Sequence, residues 1–422
     1  MAQIKPFHGM RFSAAAGAAR DLCCPPYDII SEEQRKAFLA ENPHNIIRLE
    51  LPREGENPYA TAADVLNGWL ADGTLKKDEN AAIYIYEEAF TVRGTAYRFR
   101  GFVSAVHLEE FSAGVVLPHE ETLSAAKQDR FDLMCATGCN FSQVYSLYDD
   151  ADGACKAILD KLAAGEPDVA FTDDEGVTHR LWVAEDGADV QALCARFADK
   201  KLYIADGHHR YETALNYHKH LKATGAETGD TDSIMMFLCD LQNPGLVVFP
   251  THRVIRNIDG FASADFLAKA GKYFDVEALS SFDEIEGRLE AVYAQGGKAF
   301  GFYDGQNASL LTMRDLSVMA DIMPGASEAL RSLDVTLLHT LLLEPLCGID
   351  KAAMAAGGKL TYTRDAAEAK ALAEGDADAC FILNPTRVNE ISAVALAGEK
   401  MPQKSTYFYP KLITGLVLNK ML

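Results

Sequence analysis

The chain has 422 residues, 48% hydrophobic and 24% charged, a composition that excludes a disordered polymer and supplies more than one folded core. Acidic residues outnumber basic ones 61 to 40, a formal net charge of −21. Nucleic acids and anionic membranes are bound through lysine and arginine, so neither is an expected partner. No apolar run reaches the roughly 18 residues that cross a bilayer and no export signal is recognisable, so the expected location is the cytoplasm. The nine cysteines are scattered and odd in number. Residues such as Cys135, Cys155, Cys194 and Cys380 read as reduced, buried thiols, and Cys23-Cys24 lack the spacing of a zinc site.

Pro25-Pro26 stiffen the segment from Asp21 to Ser31, and a helix is expected from Glu32 to Ala40. Ile46 to Leu51 alternates apolar and charged residues before Pro52 and reads as a strand. Val65, Leu66, Trp69 and Leu70 have helical spacing closed by Gly73. Residues 83–108 read as a long hairpin turning at Arg93-Gly94. Helices are expected at 121–134, 151–164 and 187–198, with strands at 143–148 and 180–184. Lys201 to Ala205 reads as a strand and Tyr211 to Leu221 as a helix. Two further strands, Ile234 to Asp240 and Leu246 to Phe249, flank the turn Asn243-Pro244-Gly245.

Beyond residue 255 the reading expects helices near 263–273, 283–294, 327–344, 365–374 and 388–398. Its strands fall near 299–303, 309–314, 359–363, 379–383 and 405–409. Hairpins mixed with strand–helix units predict an α/β (α+β) protein with a mixed sheet. The expected division is an N-terminal domain, 1–254, and a C-terminal α/β domain, 255–422.

The strongest chemical signal is Asp206-Gly207-His208-His209-Arg210. It lies between a β-rich run and a helical register, where first-turn N–H groups and the helix dipole favour an anion. Gly207 allows close backbone approach, Arg210 grips phosphate with two N–H groups, and His208 and His209 donate hydrogen bonds. Asp206 supplies a carboxylate for a metal or for a hydroxyl proton. The bland alternative is a capping Asp206, an Arg210 paired with Glu212 and ordinary loop histidines. No Gly-x4-Gly-Lys-Ser/Thr string occurs, so this is not a Walker loop.

Lys127 and Arg130 lie three apart and read either as a shared anion-facing pair or as a solvated face. Arg48 and Glu50 share a face of the expected strand, either solvated or turned to a cleft. His119-Glu120 precedes a helix without the His-Glu-x-x-His spacing of zinc proteases. Arg253, after Thr251-His252, adds another candidate cation at a strand end.

Several strings together resemble the prokaryotic domain-of-unknown-function family 1015, across almost the whole chain. They are Cys23-Cys24-Pro25-Pro26-Tyr27-Asp28, His119-Glu120-x-Thr122 with Lys127-x-Asp129-Arg130, and Ile204 to Ala214 around the loop. Pro250-Thr251-His252-Arg253 and Pro402-x-Lys404-Ser405-Thr406-Tyr407-Phe408-Tyr409-Pro410-Lys411 complete the set. The loop also resembles the phosphate loop of the ParB/sulfiredoxin superfamily, which implies that fold for the N-terminal part. Free-serine kinases of that superfamily pair such a loop with a carboxylate from an early strand, a place Glu50 takes by position.

That resemblance implies a nucleotide-dependent phosphotransferase acting on a small hydroxylated metabolite, serine first. Glu50 and Asp206 would be catalytic. Gly207, His208, His209, Arg210, Lys127 and Arg130 would hold phosphate or nucleotide. Arg48, His119, Glu120 and Arg253 would touch substrate. The expected partners are a small anionic substrate and a nucleotide, ATP or ADP, with Mg²⁺ held at Asp206. Two alternatives stay open: a nucleotide-binding regulatory protein without turnover, and a metal-dependent phosphatase with Asp206, His208 and His209 as ligands.

Overall fold

A computed structural model describes residues 1–120 and 124–422. The described chain is mixed α/β and divides into two compact units. One comprises residues 1–118, 124–247 and 410–422, and the other residues 119–120 and 248–409.

Unit one is built on a nine-stranded mixed sheet among the described residues. Its strands run in the order Val116–Leu117, Leu202–Asp206, Val144–Tyr148, Ser233–Asp240, Thr95–His107, Ala82–Val92, Thr178–Glu185 and Val169–Thr172, with Ile4–Lys5 also paired to Thr95–His107. Ser233–Asp240 runs parallel to Val144–Tyr148, and Leu202–Asp206 parallel to Val116–Leu117. The other pairings are antiparallel. The expected hairpin forms: Arg93 and Gly94 both take positive φ, 49° and 81°, as the tight primed turn between twisted strands requires. Ser233–Asp240 is the central, two-sided strand, and Ile234, Met236 and Leu238 of this run sit in one apolar core with Ile204, Tyr211 and Leu215.

Unit two holds a six-stranded antiparallel sheet, ordered Phe274–Leu279, Ala308–Met313, Ala299–Tyr303, Ala379–Ile382, His252–Ile255 and Leu360–Thr363. Val254, Cys380 and Ile382 face a core with helix residues Ile285, Leu289, Ala369 and Ala373.

Several expectations are corrected. Ile46 to Leu51 is a helical turn, Ile47–Glu50, not a strand. The Asn45 side chain accepts from the Ile47 N–H at 3.0 Å and starts the turn, and Glu50 and Leu51 N–H groups then close onto Ile46 and Ile47. The single helix near 327–344 is broken into Glu328–Arg331, Asp334–Leu338, a π-helical turn His339–Leu343, and Glu344–Cys347. Val247–Phe249 pairs with Tyr407–Tyr409 rather than with Ser233–Asp240. Strands Val169–Thr172, Phe274–Leu279 and His252–Ile255 were not expected as strands. All nine cysteines are free thiols, but Cys135 is exposed on its helix and Cys194 only half-buried. The helix expected at 121–134 is described as Ser124–Thr137, and residues 121–123, including Glu121 and Thr122, lie outside the described residues.

Candidate functional site

The strand Leu202–Asp206 carries Asp206 at its C-terminal end, Gly207 turns the chain at φ 91°, and the helix His208–Thr224 begins at once. The N-cap position of that helix is Gly207, one residue after Asp206. Asp206 Oδ2 lies 3.3 Å from Arg210 Nη2, one turn on, and 3.4 Å from Lys411 Nζ. Arg210 also donates to the Gln143 carbonyl. Burial alone would raise the Asp206 carboxyl, but Lys411, Arg210 and His208 outweigh it and hold it well below the usual carboxylate range. A Cβ at residue 207 would stand 2.8 Å from Arg210 Nε, so the guanidinium folds back over the bare backbone that glycine leaves.

Glu50 lies at the end of the Ile47–Glu50 turn, 2% exposed. Its Oε1 accepts from Ser142 Oγ at 2.7 Å and sits 3.6 Å from Arg130 Nη1. Arg130 donates to the Glu50 carbonyl at 2.6 Å and to Asp129, and lies 4.1 Å over the Tyr27 ring. Burial raises the Glu50 carboxyl; Arg130, Ser142 and Arg210 oppose it without cancelling it, so the group titrates above its ordinary value. Arg210 feels both Asp206 and Glu50, as well as Tyr27 and Asp28.

Glu50, Arg130, Ser142, Arg210 and Thr213 line one cleft with about 30 Å³ of open space. That is room for about one water or one ligand oxygen. Two guanidinium groups and a carboxyl that titrates above its ordinary value thus meet beside the first turn of a 17-residue helix, which suits an oxyanion next to a proton acceptor.

The remaining expected site residues are placed as follows. Lys127 Nζ pairs with Glu212 at 2.7 Å and does not line the cleft; Glu212 is therefore not reserved for Arg210. Arg48 does not share a strand face with Glu50, since both sit on a helical turn; its Nε donates to the Pro43 carbonyl at 2.9 Å. His208 is buried at the helix start and His209 half-buried. In unit two, His119 Nε2 is 3.3 Å from Thr406 Oγ1, and Glu120 accepts from the Lys404 N–H at 3.1 Å. Arg253 is fully buried within the strand His252–Ile255.

Sequence reasoning did not single out Ser142, Tyr27 or Lys411 as site residues. Tyr27 and Lys411 lie within the quoted family strings, which was the available signal; Ser142 carried none. Among the described residues, no three His, Cys, Asp or Glu side chains converge as metal ligands. No helix among them is long and apolar enough to cross a membrane.

A mixed α/β body with a glycine turn at a strand–helix junction describes the class of molecule. The chain belongs to the family described as "Protein of unknown function (DUF1015)", whose model matches residues 4–336. No curated protein matches it in sequence. Among solved structures it is similar to a free serine kinase in complex with AMP, at 15% identity and TM-score 0.35, covering 70% of this chain and 84% of that one. It is similar to SbnI with C-terminal truncation from Staphylococcus aureus, at 9% identity and TM-score 0.37, covering 74% and 85%. A conserved hypothetical protein from Pyrococcus furiosus shows 16% identity and TM-score 0.34, covering 70% and 87%.

Proposed function

We propose that the protein is a nucleotide-dependent phosphotransferase acting on a small hydroxylated metabolite, with serine as the first candidate. The observation that carries this reading is the cleft in which Arg130 and Arg210 flank the buried Glu50 carboxyl. Phosphoryl transfer asks mainly for positioning and charge neutralisation, with a base for the attacking hydroxyl.

In this reading the two carboxylates divide the work. Asp206, held ionised by Lys411 and Arg210, is a weak base and serves to position both cations. Glu50, whose carboxyl is raised above its ordinary value by burial, takes the substrate hydroxyl proton, with Ser142 and Arg130 fixing its orientation. Arg210, Arg130 and the first-turn N–H groups of the helix beginning at His208 receive the phosphoryl oxygens. Among the described residues the donor set fits no resident metal cage. Mg²⁺ accompanying ATP or ADP would draw most ligands from phosphate and water, and in this reading Asp206 would add one. When bound, the ion would neutralise charge on the transferred group.

Phosphorus NMR of the protein with ATP or ADP, Mg²⁺ and L-serine tests the proposal directly. Phosphoserine, or another phosphorylated hydroxy compound, is the expected product. Tight nucleotide binding without any such product would replace the enzyme with a regulatory nucleotide-binding protein.

A further inference from the structure

Unit two contains a buried cation that no described carboxylate pairs with. Arg253 is fully buried, and its registered neighbours across the sheet are Phe381 and Tyr362, with Phe302 next in the row. The guanidinium lies 5.2 Å over the Tyr362 ring. It donates to the carbonyls of Thr251 and of Lys404, the latter at 3.0 Å. Among the described residues no carboxylate pairs with it, and its Nε has no partner. Aromatic rings and two carbonyls orient a guanidinium but do not neutralise it, and an uncompensated buried cation is among the costliest groups a fold can hold.

A second buried polar group of the same unit also lacks a partner. His339 is 8% exposed, its Nε2 has no hydrogen-bond partner, and its ring is pushed down to about 3, first by burial and then by Arg253. The imidazole is therefore neutral at physiological pH and offers an N–H from whichever nitrogen carries the proton. One turn earlier, Thr336 Oγ1 is also buried without a partner. His339 opens the π-helical turn His339–Leu343, an irregularity that recurs where helices serve binding sites.

We propose that unit two carries an oxyanion-binding site of its own, in which Arg253 supplies the charge and His339 a second donor for the phosphate or carboxylate group of a small molecule. This inference does not rest on the phosphotransferase reading. An oxyanion in that position accepts from Arg253 Nε and from His339 Nε2, and it converts the costly cation into a buried, hydrogen-bonded pair.

The test follows the His339 imidazole by nitrogen-15 NMR in the full chain at neutral pH, with the signal assigned from His339→Gln. Inorganic phosphate and acetate are titrated separately at millimolar concentrations. A saturable movement of the His339 resonance with either probe is expected, and the probe that binds tighter names the ligand class. Arg253→Met should abolish the movement. Where that variant does not fold by near-ultraviolet circular dichroism, Arg253→Lys should weaken the same response at least tenfold. A His339 signal unmoved by both probes, or moved equally in the folded Arg253 variant, overturns the proposal and leaves Arg253 as a strut between Thr251 and Lys404.

Discussion

Lys411 Nζ stands 3.4 Å from Asp206 Oδ2, an ion pair that ties the returning C-terminal segment to the strand end of the candidate site. Both side chains are mostly shielded, 14% and 24% exposed, so the pair is worth more than a surface bridge. Lys411→Met should cost about 2 kcal/mol of stability, the scale of a lost hydrogen bond to a charged group. The sign of the pH dependence is fixed. Asp206 is depressed in the folded protein, so its contribution is present above the ordinary aspartate range and lost as pH falls through the lower folded value. Urea midpoints of wild type and variant should converge in acid and separate above about pH 5. Parallel curves across that range would show that the pair does not set the Asp206 titration.

Glu50→Gln separates function from stability. The Glu50 carboxyl is raised by burial despite Arg130, so its ionised form is a burden on the fold and the neutral amide removes that burden. The thermal midpoint should stay level or rise, whereas phosphoryl transfer should fall by about 10²-fold or more, because an amide accepts no proton. Calorimetry and product formation on one preparation decide it. A variant that loses stability and keeps turnover would assign Glu50 to architecture.

The hairpin and the strand–turn–helix junction at Gly207 are legible in the sequence for local reasons. Arg93-Gly94 is a two-residue turn between long β-rich runs, and Gly207 separates a strand pattern from a helical one. Ile46 to Leu51 misled because its alternation fits a strand, whereas the Asn45 side chain commits the segment to a helical turn. That turn, and not a strand face, is what buries Glu50. The leucine-rich run at 327–344 reads as one helix because periodicity does not register the break near Ser332-Leu333 or the π turn at His339. Ser142 and Lys411 reach the site through long-range packing, 92 residues from Glu50 in one case, and no local pattern announces such contacts.

A second buried carboxyl gives a pH signature at neutral pH. Glu88 Oε1 accepts from Tyr86 Oη at 2.7 Å, and Oε2 has no partner. Tyr86 also contacts His179 Nδ1 at 2.7 Å, and His179 Nε2 reaches Asp173 at 3.0 Å. Burial pushes Glu88 up to about 8 against the Tyr86 hydrogen bond. Its stabilising contribution is therefore full below the ordinary glutamate range and is lost as pH rises toward 8. Burial lowers His179, so its contribution runs the other way and is complete above about 6.5. Between about pH 6.5 and 8, Glu88 is left as the falling term of the two. Wild type should lose stability across that window, and Glu88→Gln should flatten the slope. An unchanged slope in the variant would mean that Glu88 is ionised throughout.

Gly207 and Arg210 make the loop assignment testable in parts. The backbone at Gly207 sits at φ 91°, where an L side chain is strained by about 1–2 kcal/mol. A Cβ there would also meet Arg210 Nε at 2.8 Å and the guanidinium carbon at 3.0 Å. Gly207→Ala should therefore lower stability by about that strain and, separately, push the guanidinium off its seat over the loop. Arg210→Ala leaves the backbone alone and removes only the cation; Asp206 keeps Lys411 as a partner, so the fold should persist. Both variants should lose phosphate or nucleotide affinity, Arg210→Ala by about 10- to 100-fold, the range of a charge-assisted hydrogen bond. Isothermal titration of ATP and of inorganic phosphate into each variant, with circular dichroism as the control for folding, gives the comparison. Weakened binding in both, with a stability loss confined to Gly207→Ala, assigns the loop to anion recognition. Folded variants that bind as tightly as wild type would show that Arg210 serves Gln143 and Asp206 alone, and the anion site would have to be sought elsewhere in the chain.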